Sequence, residues 1–134
     1  MRPVTRFNVF GIRLAILCLA VYWIAIFTGT HLPSVMDFSP KMHDKSKHFL
    51  AFFGLAILLC YVTNSRNYVK RFGIIAIVCL IYAAVDEITQ SLVPGRVPDY
   101  QDFIADAFGV AAAIGTYYAL KLVSETRRIE TLAG

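Results

Sequence analysis

Four apolar runs limit this chain more than any other feature. They are Leu14 to Gly29, His48 to Val62, Phe72 to Val93 and Phe103 to Val123. Each approaches the ~20 residues an α-helix needs to cross a ~30 Å hydrocarbon core. The second reaches that length when its polar turn, Asp44 to Lys47, is counted with it. Charged residues make up only 16% of the 134, against 57% hydrophobic, and the mean hydropathy is +0.60. That balance excludes a disordered chain. So short a chain also has too little interior to hide this much apolar surface from water. Lipid offers the backbone of an open strand no partner, so helices are expected throughout. The reading is an all-α integral membrane bundle of four transmembrane helices, forming a single domain over residues 1–134.

Arg2, Arg6 and Arg13 precede the first run, as in a secretory signal. Thr28-Gly29-Thr30 is a poor cleavage site, however, and three further spans need a packing partner. An uncleaved first span is expected. Cys18, Cys60 and Cys79 are odd in number and lie inside apolar runs. They read as small buried hydrophobes, not as a disulfide framework or a thiolate metal site.

Positive charge predicts the orientation. With the N-terminus inside, the cytoplasmic segments hold Arg2, Arg6, Arg13, Arg66, Lys70, Arg71, Lys121, Arg127 and Arg128, nine of the thirteen Lys and Arg. Lys41, Lys45, Lys47 and Arg96 fall on the other side. The asymmetry predicts both termini in the cytoplasm. The basic balance then reads as a collar against anionic head groups, not as a nucleic-acid surface.

Ionisable groups within a span are expensive and face the bundle interior. Here they recur at helical spacing. Asp44 and His48 are four apart, with Lys45 beside them; Asp86, Glu87 and Gln90 share a face; Asp99, Asp102 and Asp106 step by three and four, and Gly109 continues that face. Counted along the helices, all three groups fall at the outer end. The expected result is a polar cup open to the exterior. Pro94 and Gly95 turn the chain after the third run, which folds Arg96 back over the mouth. Small residues at Ala105, Gly109 and Ala113, and again at Ala111 and Gly115, allow close helix packing within the bundle.

Asp44-Lys45-x-x-His48-Phe49, Asp86-Glu87-x-x-Gln90, Pro94-x-Arg96 and Asp102-x-x-x-Asp106-x-x-Gly109 together resemble the VanZ-like family, that of the teicoplanin-resistance membrane protein. The resemblance covers about residues 44 to 115. It implies a small helical protein of the bacterial cytoplasmic membrane, often with four or five spans, linked through its founding member to glycopeptide resistance and the cell envelope. It implies no established reaction.

Two readings of the cup follow from its residues. In one, it binds or processes a lipid-linked or amphiphilic envelope ligand. Arg96 and Lys45, with His48, would hold a phosphate, while Asp44, Gln90 and Asp102 would also contact the ligand. His48, Asp86, Glu87 and Asp106 are the candidate acid and base groups. His48, Asp86, Glu87, Asp102 and Asp106 are candidate ligands for a divalent cation, and an oxygen-rich set suits Mg²⁺, Mn²⁺ or Ca²⁺. Neither a Gly-rich phosphate loop nor an HExxH motif is present. The alternative is a non-catalytic binding or scaffold protein whose polar residues form an interhelical network. The bilayer is the expected partner in both.

Overall fold

The structure is a computed structural model that describes residues 8–9, 12–31, 44–95 and 97–133. Four helices account for nearly all of it: α1 (Leu14–His31), α2 (Asp44–Val62), α3 (Tyr68–Gln90) and α4 (Tyr100–Ala133). All four are long and apolar enough to cross a membrane. A two-residue antiparallel ladder precedes them, β1 (Asn8–Val9) on β2 (Ile12–Arg13).

The boundaries differ from the apolar runs where polar residues extend or end a helix. α1 continues through Thr30 and His31, whose side chains bond back to carbonyls of Ile26 and Phe27. α3 stops at Gln90, three residues before Val93. There the Ser91, Leu92 and Val93 amides reach carbonyls three residues back, tightening the chain into turns before Pro94 and Gly95. Gly95 has φ 84°, a left-handed conformation that glycine adopts without steric penalty. α4 runs 34 residues, about 50 Å at the α-helical rise, so its charged end outreaches a bilayer core.

α3 turns mainly small and polar residues inward. On α3 the buried line is Arg71, Ile75, Cys79, Ala83, Asp86 and Gln90. Ile74, Ile77, Ile81, Val85 and Ile88 run down the opposite face, between 49% and 67% exposed. Water would not tolerate so continuous an apolar face on a monomer, whereas lipid tails solvate it. Cys60 and Cys79 are fully buried as expected. Cys18 is not: it lies on the exposed face of α1, because α1 packs through Tyr22, Trp23 and Ile26 instead.

α2 and α4 make the closest crossing. Gly109 of α4 lies so near the α2 backbone that a Cβ there would stand 2.3 Å from the Phe49 carbonyl oxygen. Ala113 is fully buried one turn further on. Of the two small-residue lines, this one packs inside the bundle. Gly115 has open space, and Ala111 is exposed.

The last carbonyls of α2 are met by cations from α3 and β2. The Arg71 guanidinium donates to the Cys60 carbonyl and, at 3.2 Å, to the Thr63 hydroxyl and the Tyr117 hydroxyl. Arg13 donates to the Val62 carbonyl at 3.3 Å. Orphaned carbonyls and the negative end of the helix dipole both favour this. Arg71, read above as part of a collar against anionic head groups, is therefore a buried clamp, 5% exposed.

Candidate functional site

The antiparallel order of the helices brings four ends together: the C-termini of α1 and α3 and the N-termini of α2 and α4. The polar residues meet there, in a layer with an exposed rim and a buried floor. Asp44, Lys45 and Asp99 form the rim, while His48, Asp86, Gln90 and Asp106 are at most 4% exposed and Asp102 is 7% exposed.

His48 is the centre of one half. Its Nδ1 lies 3.1 Å from Asp106 Oδ1, and its Nε2 lies 3.8 Å from Asp102 Oδ2. One turn of α2 sets Asp44 beside the same ring, and the ligand atoms of Asp44, His48 and Asp102 all lie within 4.8 Å of one another. Lys45 donates to Asp99 at 2.9 Å and stands 3.7 Å from Asp102 Oδ1. Asp99 thus meets the same ammonium as Asp102, and it also caps α4, accepting the Gln101 amide at 2.9 Å. The Lys45 ammonium, with that amide, holds the Asp99 carboxyl below its ordinary value.

Asp86 is the centre of the other half. Its Oδ1 accepts from Thr30 at 2.9 Å and its Oδ2 from Gln90 at 2.6 Å, and His31 lies 3.9 Å away. Glu87 Oε1 accepts the Asp99 amide, which ties the end of α3 to the start of α4. The halves are within electrostatic reach: Asp106 feels Asp86 as well as Asp102 and His48, and Glu87 feels His48, Asp102 and Asp106. Arg96, expected over the mouth, lies outside the described residues, as do Asp37 and Lys41.

The expected residues thus converge, but their roles separate. Both Asp86 oxygens are engaged by donors of this chain. Three other carboxylate oxygens in the layer are buried without a hydrogen bond: Glu87 Oε2, Asp102 Oδ1 and Asp106 Oδ2. Such atoms are costly to leave unmatched in a low-dielectric interior. Sequence reasoning missed Thr30, His31 and Thr89, the last bonded to His31 at 2.8 Å. The signal was available, because Thr30 and His31 follow the first apolar run at the end where the other polar groups gather.

Beside the layer, α2 and α4 form a shallow groove of ≈ 590 Å³ lined by Lys45, Ser46, Phe49, Leu50, Ala105 and Phe108. Its walls are apolar except at Lys45 and Ser46, so Lys45 belongs to both features: its ammonium to the acids, its stem to the groove.

These features define a multi-pass helical membrane protein with a polar layer built into one end of the bundle. More narrowly, residues 14–122 match the VanZ/LLP1 family model, and the chain belongs to that family. No curated protein and no solved structure matches it.

Proposed function

We propose that this is a protein of the bacterial cytoplasmic membrane whose polar layer faces outward and binds the head of a lipid-linked envelope ligand. The observation that carries this reading is the junction at Lys45. An apolar groove open to lipid ends where a layer of ionisable groups begins. A ligand with an apolar chain and a phosphorylated head fits both surfaces at once: chain along Phe49, Leu50 and Phe108, phosphate toward Lys45. The Lys and Arg asymmetry supports the outward orientation, and family membership supports a link to glycopeptide susceptibility. His48 and Asp106 are the groups best arranged for proton transfer, should the ligand be processed.

The test is binding of a polyprenyl phosphate to detergent-purified protein, followed by native mass spectrometry. Saturable binding is expected, weaker for the matching polyprenol. Ala105→Phe, which fills the groove from its half-buried wall, should weaken binding about tenfold or more, the equivalent of roughly 1.4 kcal/mol. Equal binding of phosphate and alcohol, or no effect of Ala105→Phe, would overturn the reading. A purely structural network is the second reading. It is favoured at Asp86, whose two oxygens are already satisfied within the bundle.

A further inference from the structure

We infer that Asp44, His48 and Asp102 form a binding site for one divalent transition-metal ion, with Asp106 as the group that orients its histidine. The site differs from the set expected from the sequence, which shares with it only His48 and Asp102. Asp86 and Glu87 are not in it, and Asp44, on the rim, is.

Three observations converge. The first is geometric: one ligand atom from each of Asp44, His48 and Asp102 lies within 4.8 Å of the other two, close enough for the three side chains to converge on one ion. Two of them come from one turn of α2, and the third comes from α4 across the tightest crossing in the bundle, where Gly109 permits the approach. The second is the support behind the histidine. With Asp106 ionised, His48 Nδ1 carries the proton and donates it to Oδ1 at 3.1 Å. The lone pair is then on Nε2, the nitrogen that faces Asp102 at 3.8 Å. A carboxylate holding the far nitrogen of a ligating histidine is the usual supporting arrangement of metal sites. The third is the unmatched buried oxygen. Asp102 is 7% exposed, and its Oδ1 has no hydrogen-bond donor. Lys45 is the nearby cation, but it stands 3.7 Å from that oxygen and bonds Asp99 instead, at 2.9 Å. A second positive charge at this point would satisfy what Lys45 leaves.

The donor set narrows the ion. One imidazole and two carboxylates suit Zn²⁺ or Mn²⁺ better than Mg²⁺ or Ca²⁺, which favour oxygen alone. Asp44 is exposed, so the ion has a path from the aqueous side. Three protein ligands leave at least one position for water or for an anionic group.

The experiment uses the full chain in detergent, stripped with chelator, and Zn²⁺ or Mn²⁺ alone. Isothermal titration should give one saturable site per chain for Zn²⁺, and Mn²⁺ should show a bound signal by electron paramagnetic resonance that Zn²⁺ displaces. Asp44→Asn and Asp102→Asn should each weaken binding at least tenfold. Asp106→Asn touches no metal in this assignment and should still weaken it about 10- to 100-fold, through the histidine. Glu87→Gln should leave it unchanged. Asp44 is on the rim, so its variant decides the matter even if Asp102→Asn fails to fold. Absence of saturable binding, or binding that Asp44→Asn leaves intact, would overturn the assignment. Because no lipid is present, that failure is separate from failure of the lipid-binding proposal.

Discussion

Replacing Gly109 with alanine should destabilise the bundle and disconnect the polar layer together. A Cβ at this position would stand 2.3 Å from the Phe49 carbonyl oxygen and 3.1 Å from the Phe53 nitrogen, where ordinary contact begins at 3.4 Å. Both obstacles are backbone atoms of α2, so no rotamer change relieves them. The helices are stiff, and α4 must retreat by about 1 Å. The His48–Asp106 contact, 3.1 Å in the native bundle, would then lengthen past the range of a hydrogen bond. Overpacking of this kind costs about 1–3 kcal/mol. A lost interhelical hydrogen bond in a membrane adds ~0.6, up to about 1.7 kcal/mol. Alanine in place of glycine within a helix returns roughly 0.5–1 kcal/mol. The net expectation is a loss of about 1–4 kcal/mol. Unfolding by sodium dodecyl sulfate in mixed micelles would measure it, followed by fluorescence of Trp23, the single tryptophan, which packs edge-on to Tyr82 at 5.1 Å. Gly115→Ala is the control, since nothing lies within 4 Å of its added methyl group. It should be neutral or slightly stabilising. Gly109→Ala within about 0.5 kcal/mol of the native protein, the range of an inconsequential surface change, would refute the argument.

Asp86→Asn should lower membrane abundance, because the asparagine NH₂ must face either the Thr30 or the Gln90 donor; a blot should show the loss, and full abundance with altered glycopeptide susceptibility would instead put Asp86 in ligand binding. In an otherwise Cys-free chain, a cysteine at Val97, 85% exposed, should react with impermeant maleimide in intact spheroplasts, and one at the exposed Asn67 should not; the reverse pattern would invert the proposed orientation.

Much of the fold is legible along the chain because the membrane makes hydropathy local. A run of about 20 apolar residues becomes a span whatever its neighbours do, and spacing of three and four puts Asp44 with His48, and Asp102 with Asp106, on one helical face. Counting residues from helix ends was also enough to bring those acids, and Asp86, to one end of the bundle.

Which atoms touch was decided by the rotation and register of whole helices, and no count along one helix contains those. Spacing along α2 sets Asp44 beside His48, but only the crossing at Gly109 decides that Nδ1 meets Asp106 while Nε2 faces Asp102. Asp86 looked like a reactive acid until α1 brought Thr30 against it. Asp99 has the spacing of a face residue, and the start of α4 also makes it a cap while its carboxylate meets Lys45. Gly109 and Gly115 have the same chemistry and similar neighbours in the sequence; only one lies against another backbone. Arg71 reads as one charge among many at a membrane surface, and becomes a buried clamp because α2 ends beside it with unpaired carbonyls. Hydropathy and helical period are properties of a single segment. A hydrogen bond between segments depends on their relative rotation and depth, which only the packed bundle sets.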